Sequence, residues 1–375
     1  MRRLQIQPRA NWQQTVESFG FHFHTINDVP YWDESAYYEF ASAEIDTLEK
    51  ATYELDKMCL AAAQHVIDEK QFDRFQIPPA YVPWLMQSWE RDEHTICGRF
   101  DLSYGGGGTV PKLLEYNADT PTSLLEASVI QWQWMKDRHP KLDQFNSIHE
   151  RLIEAWAAVR PSTRGAMYFT CVGDNVEDFM TTTYLRDTAM QAGLDTRYVD
   201  IEKVGWNFDR RLFVDEAELH ISDCFKLYPW EWLIRERFAN MLLNDNTRWL
   251  EAPWKMLLSN KAILPMLHEL FPQSPYILAA AFEPVGRNYV KKPVLGREGA
   301  NVEVIVDGKT ILSTPGEYGE PFVYQEYAPP PGFDGHHPVI GSWMVNGYAC
   351  GIGIREDMSP VTQNTSRFVP HVFGT

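Results

Sequence analysis

Four polar residues fall into two short pairs on either side of a glycine loop. Arg99 and Asp101 form the first pair, and Glu115 and Asn117 form the second. Side chains two residues apart share one face of a β-strand, so each pair lies side by side if its segment is a strand. Two carboxylates and an amide oxygen suit Mg²⁺, and a neighbouring guanidinium can neutralise a phosphoryl group. A solvent-exposed hairpin with ordinary ion pairs is equally consistent with this spacing.

Two lysines stand in contexts typical of phosphate contacts. Lys261 lies at a predicted helix start, and Lys292 ends a predicted strand. A lysine that faces inward from a strand is costly unless it meets a negative group. The loop 296–301 follows directly, and its backbone N–H groups can fold over phosphates, although a mobile hairpin tip has the same composition. The chain has neither a P-loop motif nor a Rossmann glycine motif.

Three further segments carry groups that suit a nucleotide or substrate site. The strand around Gln325 and Glu326 ends in a polar break, where backbone groups can meet an adenine edge. Arg355 ends a glycine-rich apolar strand, where its guanidinium can reach a phosphate. Glu177 and Asp178 begin a helix, but the helix dipole alone favours carboxylates there. Each of these segments is also consistent with a purely structural role.

The elements that must position these residues are a hairpin, an α/β layer and a β-rich segment. We predict the hairpin over 98–117, followed by a helix from Pro121 to about Arg138. Helix and strand alternate over 148–204, which predicts a parallel α/β layer. After Trp254 we predict strands at 289–294, 302–306 and 322–326 and a last hairpin over 338–355.

Helices are also predicted on either side of the α/β layer. Apolar residues at three- and four-residue steps predict one long helix, and a proline break and an aromatic-rich segment indicate two others. These helices span 34–70, 78–92 and 225–243. Changes in the predicted secondary structure near 140 and 254 divide the chain into three expected parts, 1–140, 141–254 and 255–375.

Composition limits the class of protein. The chain has 375 residues, 44% hydrophobic and 23% charged, which is ordinary for a folded soluble protein. The net charge of −17 argues against a nucleic-acid binder and favours cationic partners such as amines. Five scattered cysteines, no membrane-spanning apolar segment and no signal peptide predict a cytoplasmic protein that does not bind a membrane.

The ordered set of motifs resembles the glutathionylspermidine synthase family, and more narrowly its short bacterial members described as acid–amine ligases. The resemblance runs from about residue 15 to the end. Its Glu-x-Asn motif is shared with many ATP-grasp ligases, whereas the ordered set is far more specific. The segments that carry it are 112–120, 260–265, 292–293, 296–299 and 324–325.

The resemblance implies an α/β ATP-grasp fold with a pre-ATP-grasp α/β layer and a β-rich lid subdomain. It implies that a substrate carboxylate attacks the γ-phosphate of ATP, and that an amine then displaces phosphate from the acyl phosphate. Asp101, Glu115 and Asn117 correspond to Mg²⁺ ligands. Arg99 corresponds to the group that stabilises the transferring phosphate, and Arg355 to a catalytic arginine near the acyl phosphate. The implied ATP contacts are Lys261, Lys292, Gly296, Gly299, Gln325 and Glu326.

The resemblance is less informative about the acid and the amine, both of which are implied to be small molecules. The positions that correspond to substrate contacts are Thr120, Thr122, Ser123, Glu177 and Asp178. The family's cysteine in this first stretch is absent here, and Arg367 lies near the place of an acidic residue that orients the amine. The amidase domain of bifunctional members has no counterpart in the residues before the hairpin, so no hydrolase activity is expected.

Two other functions stay open from the sequence alone. A nucleotide-binding pseudoenzyme or regulatory partner-binding module would bind ATP without releasing ADP in response to substrates. A metal-dependent phosphohydrolase that uses the same carboxylates would release phosphate without an acceptor amine. The paired lysines and the adenine-type strand favour a ligase over the hydrolase.

Overall fold

The computed structural model describes residues 1–244 and 246–374, and its fold is mixed α/β, as predicted. In the described residues, two five-stranded antiparallel sheets and a four-stranded parallel sheet surround the predicted site residues. The α-helices of this part of the chain are α1 (Trp12–Ser18), α2 (Ser42–Asp68), α3 (Val82–Glu90), α4 (Gln131–Arg138), α5 (Ile148–Val159), α6 (Val176–Gln191), α7 (Trp230–Leu233) and α8 (Ile263–Leu270).

The strands are interspersed with these helices as far as α8, and in the described residues β13 to β21 all follow it. Those of the first half are β1 (Arg2–Gln5), β2 (Thr25–Ile26), β3 (Val29–Pro30), β4 (Ala36–Ala41), β5 (Cys97–Ser103), β6 (Lys112–Asn117), β7 (Met167–Cys171) and β8 (Thr196–Tyr198). Those of the second half are β9 (Gly205–Asn207), β10 (Leu212–Val214), β11 (Asp223–Leu227), β12 (Arg248–Leu250), β13 (Ala280–Ala281), β14 (Tyr289–Pro293), β15 (Glu303–Val306), β16 (Lys309–Ser313), β17 (Phe322–Glu326), β18 (His337–Val345), β19 (Tyr348–Asp357), β20 (Arg367–Phe368) and β21 (His371–Gly374).

The predicted hairpin forms the edge of a five-stranded sheet in the order β20-β19-β18-β5-β6. In its register Arg99 lies opposite Asn117, and Asp101 lies opposite Glu115. On the other side of β5, β18 places Gly341 opposite Asp101. A Cβ atom at Gly341 would lie 2.7 Å from Cδ of Arg99, so this glycine leaves the space that the arginine side chain occupies.

The parallel layer has the strand order β12-β11-β7-β8 and packs against α5 and α6. Every residue of β11 is buried, including Lys226. The Nζ atom of Lys226 donates to Oδ1 of Asp119, two residues beyond β6, over 2.6 Å. The other oxygen of Asp119 accepts from the backbone N–H of Trp230 over 2.9 Å. This buried ion pair joins the end of the hairpin to the parallel layer.

The second antiparallel sheet, in the order β13-β17-β14-β15-β16, forms the lid. Its two central strands reach the hairpin through side chains. Nζ of Lys292 donates to the carbonyl oxygen of Leu114 over 3.0 Å, and Nε2 of Gln325 donates to that of Leu113 over 2.9 Å. Because both bonds end on β6, the lid is fixed beside the predicted metal ligands.

Three predicted helices differ from the structure. The helix predicted over 34–70 is wrong at its start, because β4 occupies 36–41 with alternate residues buried and α2 begins at Ser42. The helix predicted over 225–243 is wrong at its start, because β11 extends to Leu227, and after it only the four-residue α7 and a 3₁₀ turn are helical. The helix predicted from Pro121 starts later, and Ser123 before it has a φ of +64°.

Most other predicted elements are confirmed. The helix near 78–92 appears as a 3₁₀ turn and α3, and the alternation over 148–204 appears as α5, β7, α6 and β8. The strands after Trp254 match β14, β15, β17, β18 and β19. All five cysteines are free and buried. Across residues 1–244 and 246–374, none of the helices combines the length and apolar character that a membrane crossing requires.

Replacing Lys226 by Met tests the buried ion pair that links the hairpin to the parallel layer. Both side chains of the pair are fully buried, so the variant leaves Asp119 charged and unpaired. We expect the free energy of unfolding in urea to fall by about 3–5 kcal/mol. The control is Lys57→Met, which breaks a pair with Glu54 whose side chains are 70% and 45% exposed, and should change stability by less than about 1 kcal/mol. Equal losses of unfolding free energy in the two variants would show that the Lys226–Asp119 ion pair does not stabilise the fold.

Candidate active site

A cavity of about 410 Å³ lies where the hairpin, the parallel layer and the lid meet. Residues from all three expected parts of the chain line it. The predicted site residues among them are Arg99, Asp101, Glu115, Asn117, Thr120, Thr122, Glu177, Asp178, Lys261, Gly296, Gly299 and Arg355.

A narrower cavity of about 120 Å³ opens beside the first, between the lid and β6. The two share Asp101, Glu115 and Lys261 on their walls. Most of the remaining wall is apolar and comes from the lid strands and the loop near Val361. The predicted nucleotide contacts that line only this cavity are Lys292, Gln325 and Glu326.

The two carboxylates of the hairpin are surrounded by cationic and amide groups. The guanidinium of Arg99 binds Asp101 with both ends, at 2.7 and 3.1 Å. Nδ2 of Asn117 donates to Asp101 over 3.1 Å and to Glu115 over 3.3 Å. Nζ of Lys261 lies 3.0 Å from the other oxygen of Glu115. The four residues singled out by their spacing therefore converge on one point.

Burial and neighbouring charges act in opposite directions on these groups. Burial raises the pKa of Glu115, but Lys261 and Lys292 outweigh it and lower the pKa to about 2. Burial lowers the pKa of Lys292 to about 8, although the charge of Glu115 opposes this shift. Burial raises the pKa of Asp101, against the effect of Arg99. The negative charge of Glu115 is thus held in place by two lysines from separate parts of the chain.

The donor set fits a magnesium ion. Asp101, Glu115 and Asn117 supply two carboxylates and one amide at a single point, and Mg²⁺ binds with few protein ligands because it keeps water and phosphate oxygens. In the described residues, no group of three or more His, Cys, Asp and Glu side chains is placed to hold a metal. A site closed by protein ligands alone, such as a structural zinc site, therefore has no counterpart in that part of the chain.

The lid loop reaches across the large cavity through one arginine. Arg297 donates from Nε to Glu231 over 3.0 Å and from Nη1 to Oγ1 of Thr120 over 2.9 Å. Two residues later, Gly299 has a φ of +70°, and a Cβ atom there would lie 2.5 Å from the carbonyl oxygen of Thr362. This loop was predicted from the sequence, but the contact of Arg297 with Glu231 was not, because Glu231 lies in another layer.

Arg355 is held by neutral groups. Its Nε donates to the carbonyl oxygen of Ser366 over 2.8 Å, and its Nη2 to that of Asn364 over 2.9 Å. Nη1 donates to Oγ of Ser123 over 3.3 Å. It forms no ion pair with a carboxylate among residues 1–244 and 246–374, so its charge stays available to an anion in the cavity.

The wall opposite the lysines is acidic. Glu177 is 7% exposed, and its buried Oε1 has no hydrogen-bond partner. Burial and the charges of Glu177 and Glu298 raise the pKa of Asp178 to about 7. This wall can accept a cationic ligand. Arg367, which lies near the family's amine-orienting position in sequence, instead pairs with Asp33 over 2.7 Å.

Two buried residues, linked to Ser123 and to one another by hydrogen bonds, were not singled out in the sequence. Tyr31 donates to Glu126 over 2.9 Å, contacts Ser123 and lies under the guanidinium of Arg355 at 4.9 Å. Tyr31 belongs to an N-terminal loop 92 residues before Ser123, and Glu126 lies on the buried side of a helical turn. No local motif marks either residue, so neither could be found from spacing.

Comparison with known proteins gives one family. Residues 3–374 match the family described as "Glutathionylspermidine synthase preATP-grasp". The chain is 39% identical to a Haemophilus influenzae protein named "Putative acid--amine ligase", with 97% of each covered. It is 31% identical to a trypanothione synthetase of Crithidia fasciculata and 30% identical to a bifunctional glutathionylspermidine synthetase/amidase of Escherichia coli. These matches cover 82% and 92% of this chain but only 52% and 60% of the relatives.

One solved structure has the same fold. A glutathione synthetase-like effector of Globodera pallida matches with a TM-score of 0.56 and 11% identity, and 99% of this chain and 98% of that chain are covered. Together with the family description, this likeness confirms the predicted fold class.

The effect of Glu115 on the pKa of Lys292 can be measured. Replacing Glu115 by Gln removes the negative charge that holds up the pKa of Lys292, so we expect that pKa to fall below about 8. Carbon NMR of ¹³C-labelled lysine at Lys292 measures it. The control is Glu303→Gln, which removes the partner of Lys291, the neighbouring lysine, at 3.3 Å. An unchanged Lys292 pKa in Glu115→Gln would exclude the coupling.

Proposed function

The chain belongs to the glutathionylspermidine synthase family, and on this basis we propose that it is an ATP- and Mg²⁺-dependent carboxylate–amine ligase. It joins a small-molecule acid to a small-molecule amine through an acyl phosphate. The relatives named as ligases and synthetases support the formation of a carbon–nitrogen bond. The free, buried cysteines support a place in the reducing cytoplasm.

One observation carries the proposal. Two carboxylates and an amide meet three cations, Arg99, Lys261 and Lys292, at the mouth of an apolar slot between two sheets. Mg·ATP matches each part of this arrangement, since its polyphosphate needs cations, its metal needs oxygen ligands and its adenine needs an apolar slot. In the slot, Nζ of Lys292 donates to the amide oxygen of Gln325 over 2.8 Å, and the apolar walls beside the end of β17 at Glu326 supply the place for the adenine ring.

The reaction proceeds in two steps within the large cavity. The acid is held near Thr120, Thr122 and Ser123, and its carboxylate oxygen attacks the γ-phosphorus while the bond to ADP breaks. Asp101, Glu115 and Asn117 would hold Mg²⁺, which would neutralise charge on the phosphate oxygens. Arg99, paired with Asp101, and Arg355, held by carbonyl groups, stabilise the charge that develops on the transferred group.

The amine then displaces phosphate from the acyl phosphate. Glu177 and Asp178 lie on the acidic wall and give a protonated amine its binding groups. The lid loop closes over the nucleotide, with Arg297 as its contact to the opposite layer. The three expected parts, 1–140, 141–254 and 255–375, supply hairpin, substrate layer and lid in turn.

Calorimetric titration with a non-hydrolysable ATP analogue tests the nucleotide site. We expect wild-type protein to bind the analogue more tightly with Mg²⁺ than without it. Asp101→Asn and Glu115→Gln should lose this metal dependence, because each removes a carboxylate ligand. The matched control is Glu303→Gln, a carboxylate of the lid outside both cavities, which should bind as wild type does. Absence of binding in wild type would refute an ATP site.

Turnover tests the chemistry. ADP release is measured with glutathione paired with spermidine, and then over a panel of other acids and amines. Arg99→Gln should lower kcat by about 10²–10³-fold, because a group that stabilises transition-state charge is lost. Arg151→Gln is the control, since Arg151 lies outside the cavity and pairs with Glu154. Nucleotide binding without ADP release across the panel would identify a pseudoenzyme instead, and equal activity of Arg99→Gln and wild type would exclude the proposed role.

A further inference from the structure

A chain of hydrogen bonds leads from the reaction centre into the core. Oγ of Ser123 lies 3.0 Å from the hydroxyl of Tyr31, and that hydroxyl donates to Oε1 of Glu126 over 2.9 Å. The three residues are between 1% and 3% exposed. None of these contacts is needed to hold ATP or metal.

The two ends of this series of hydrogen bonds have different surroundings. Ser123 lines a small cavity together with Arg99, Asp101 and Arg355, so its hydroxyl faces the reacting groups. Its Oγ atom also accepts from Nη1 of Arg355 over 3.3 Å, which holds the hydroxyl at this cavity. Glu126 lies on the far side of Tyr31, away from the cavities. A proton that enters at Ser123 can therefore leave the reaction centre without crossing solvent.

We propose that Ser123, Tyr31 and Glu126 form a proton relay that deprotonates the amine substrate; this rests on the ligase function proposed above. The ammonium nitrogen gives one proton to Oγ of Ser123, Ser123 passes its own proton to the Tyr31 oxygen, and Tyr31 passes its proton to the Glu126 carboxylate. The neutral amine then attacks the acyl carbon. The carbon–oxygen bond to phosphate breaks, and phosphate leaves with the second proton of the nitrogen.

The surroundings set the direction of transfer. Arg355 donates to Oγ of Ser123, which turns the serine hydrogen toward Tyr31. Arg99 and Arg355 disfavour a second cation at this point and so promote loss of the ammonium proton. Burial and the charge of Glu177 raise the pKa of Glu126 to about 7, against the effects of Tyr31 and Arg355. Glu126 is thus a proton acceptor above neutral pH.

The test compares two acceptors in ADP release with Mg·ATP and glutathione. Spermidine arrives protonated and needs the relay, whereas hydroxylamine is already neutral at pH 7 and bypasses it. Tyr31→Phe and Glu126→Gln should lower the rate with spermidine by about 10²-fold and leave the rate with hydroxylamine within about twofold of wild type. The wild-type rate with spermidine should rise with pH through about 7, and this rise should be absent in Glu126→Gln.

Tyr184→Phe is the matched control, because it removes a buried hydroxyl that bonds His149 over 2.9 Å, and both rates should stay normal. Equal losses with the two acceptors would show a positioning role and overturn the relay. Unchanged rates with spermidine would also overturn it. If wild type releases no ADP with these acceptors, the two variants are compared with the protonated amine and the acid that the panel above identifies, and no release across that panel would contradict the ligase function on which the relay rests.

Discussion

The charge balance around Glu115 is the constraint on which the rest of this structure depends. The side chain of Glu115 is half-buried, at 31% exposed, and nearby cations offset the partial loss of water around its carboxylate. Here Lys261 comes from the start of α8 and Lys292 from β14, while Arg99 holds the adjacent Asp101. Three separate stretches of the chain must therefore meet before the two carboxylates are stable. The contact of the lid with the hairpin is thus part of the site itself.

Two further buried charges anchor the same hairpin. At its far end, Asp119 is paired with Lys226 of the parallel layer. At its start, Glu251 accepts the backbone N–H groups of Ile96 and Cys97 and pairs with Lys255 over 2.8 Å. A displacement of β5 or β6 would expose or separate these ions. The position of the proposed metal ligands is thus fixed by ion pairs outside the cavity as much as by those inside it.

The sequence predicted the site best where the functional residues lie close together along the chain. Side-chain alternation predicted the hairpin, and its register brings Asp101 and Glu115 together as expected. The end of β11, from Phe225, was predicted as helix because aromatic content does not distinguish helix from strand, and because its buried Lys226 finds its partner 107 residues away. Tyr31 and Glu126 were not predicted, because they are distant in sequence and only the fold brings them into contact.

The central sheet also has a consequence for synthesis on the ribosome. β5 pairs with β6 on one side, but its other neighbour is β18 from the end of the chain. Until β18 has been made, β5 is an edge strand with free backbone groups, which is a template for pairing with other chains. Because such distant pairing is slow, β5 keeps this exposed edge until the last part of the chain has been made. A chain that ended before β18 would leave the edge unpaired at Arg99 and Asp101.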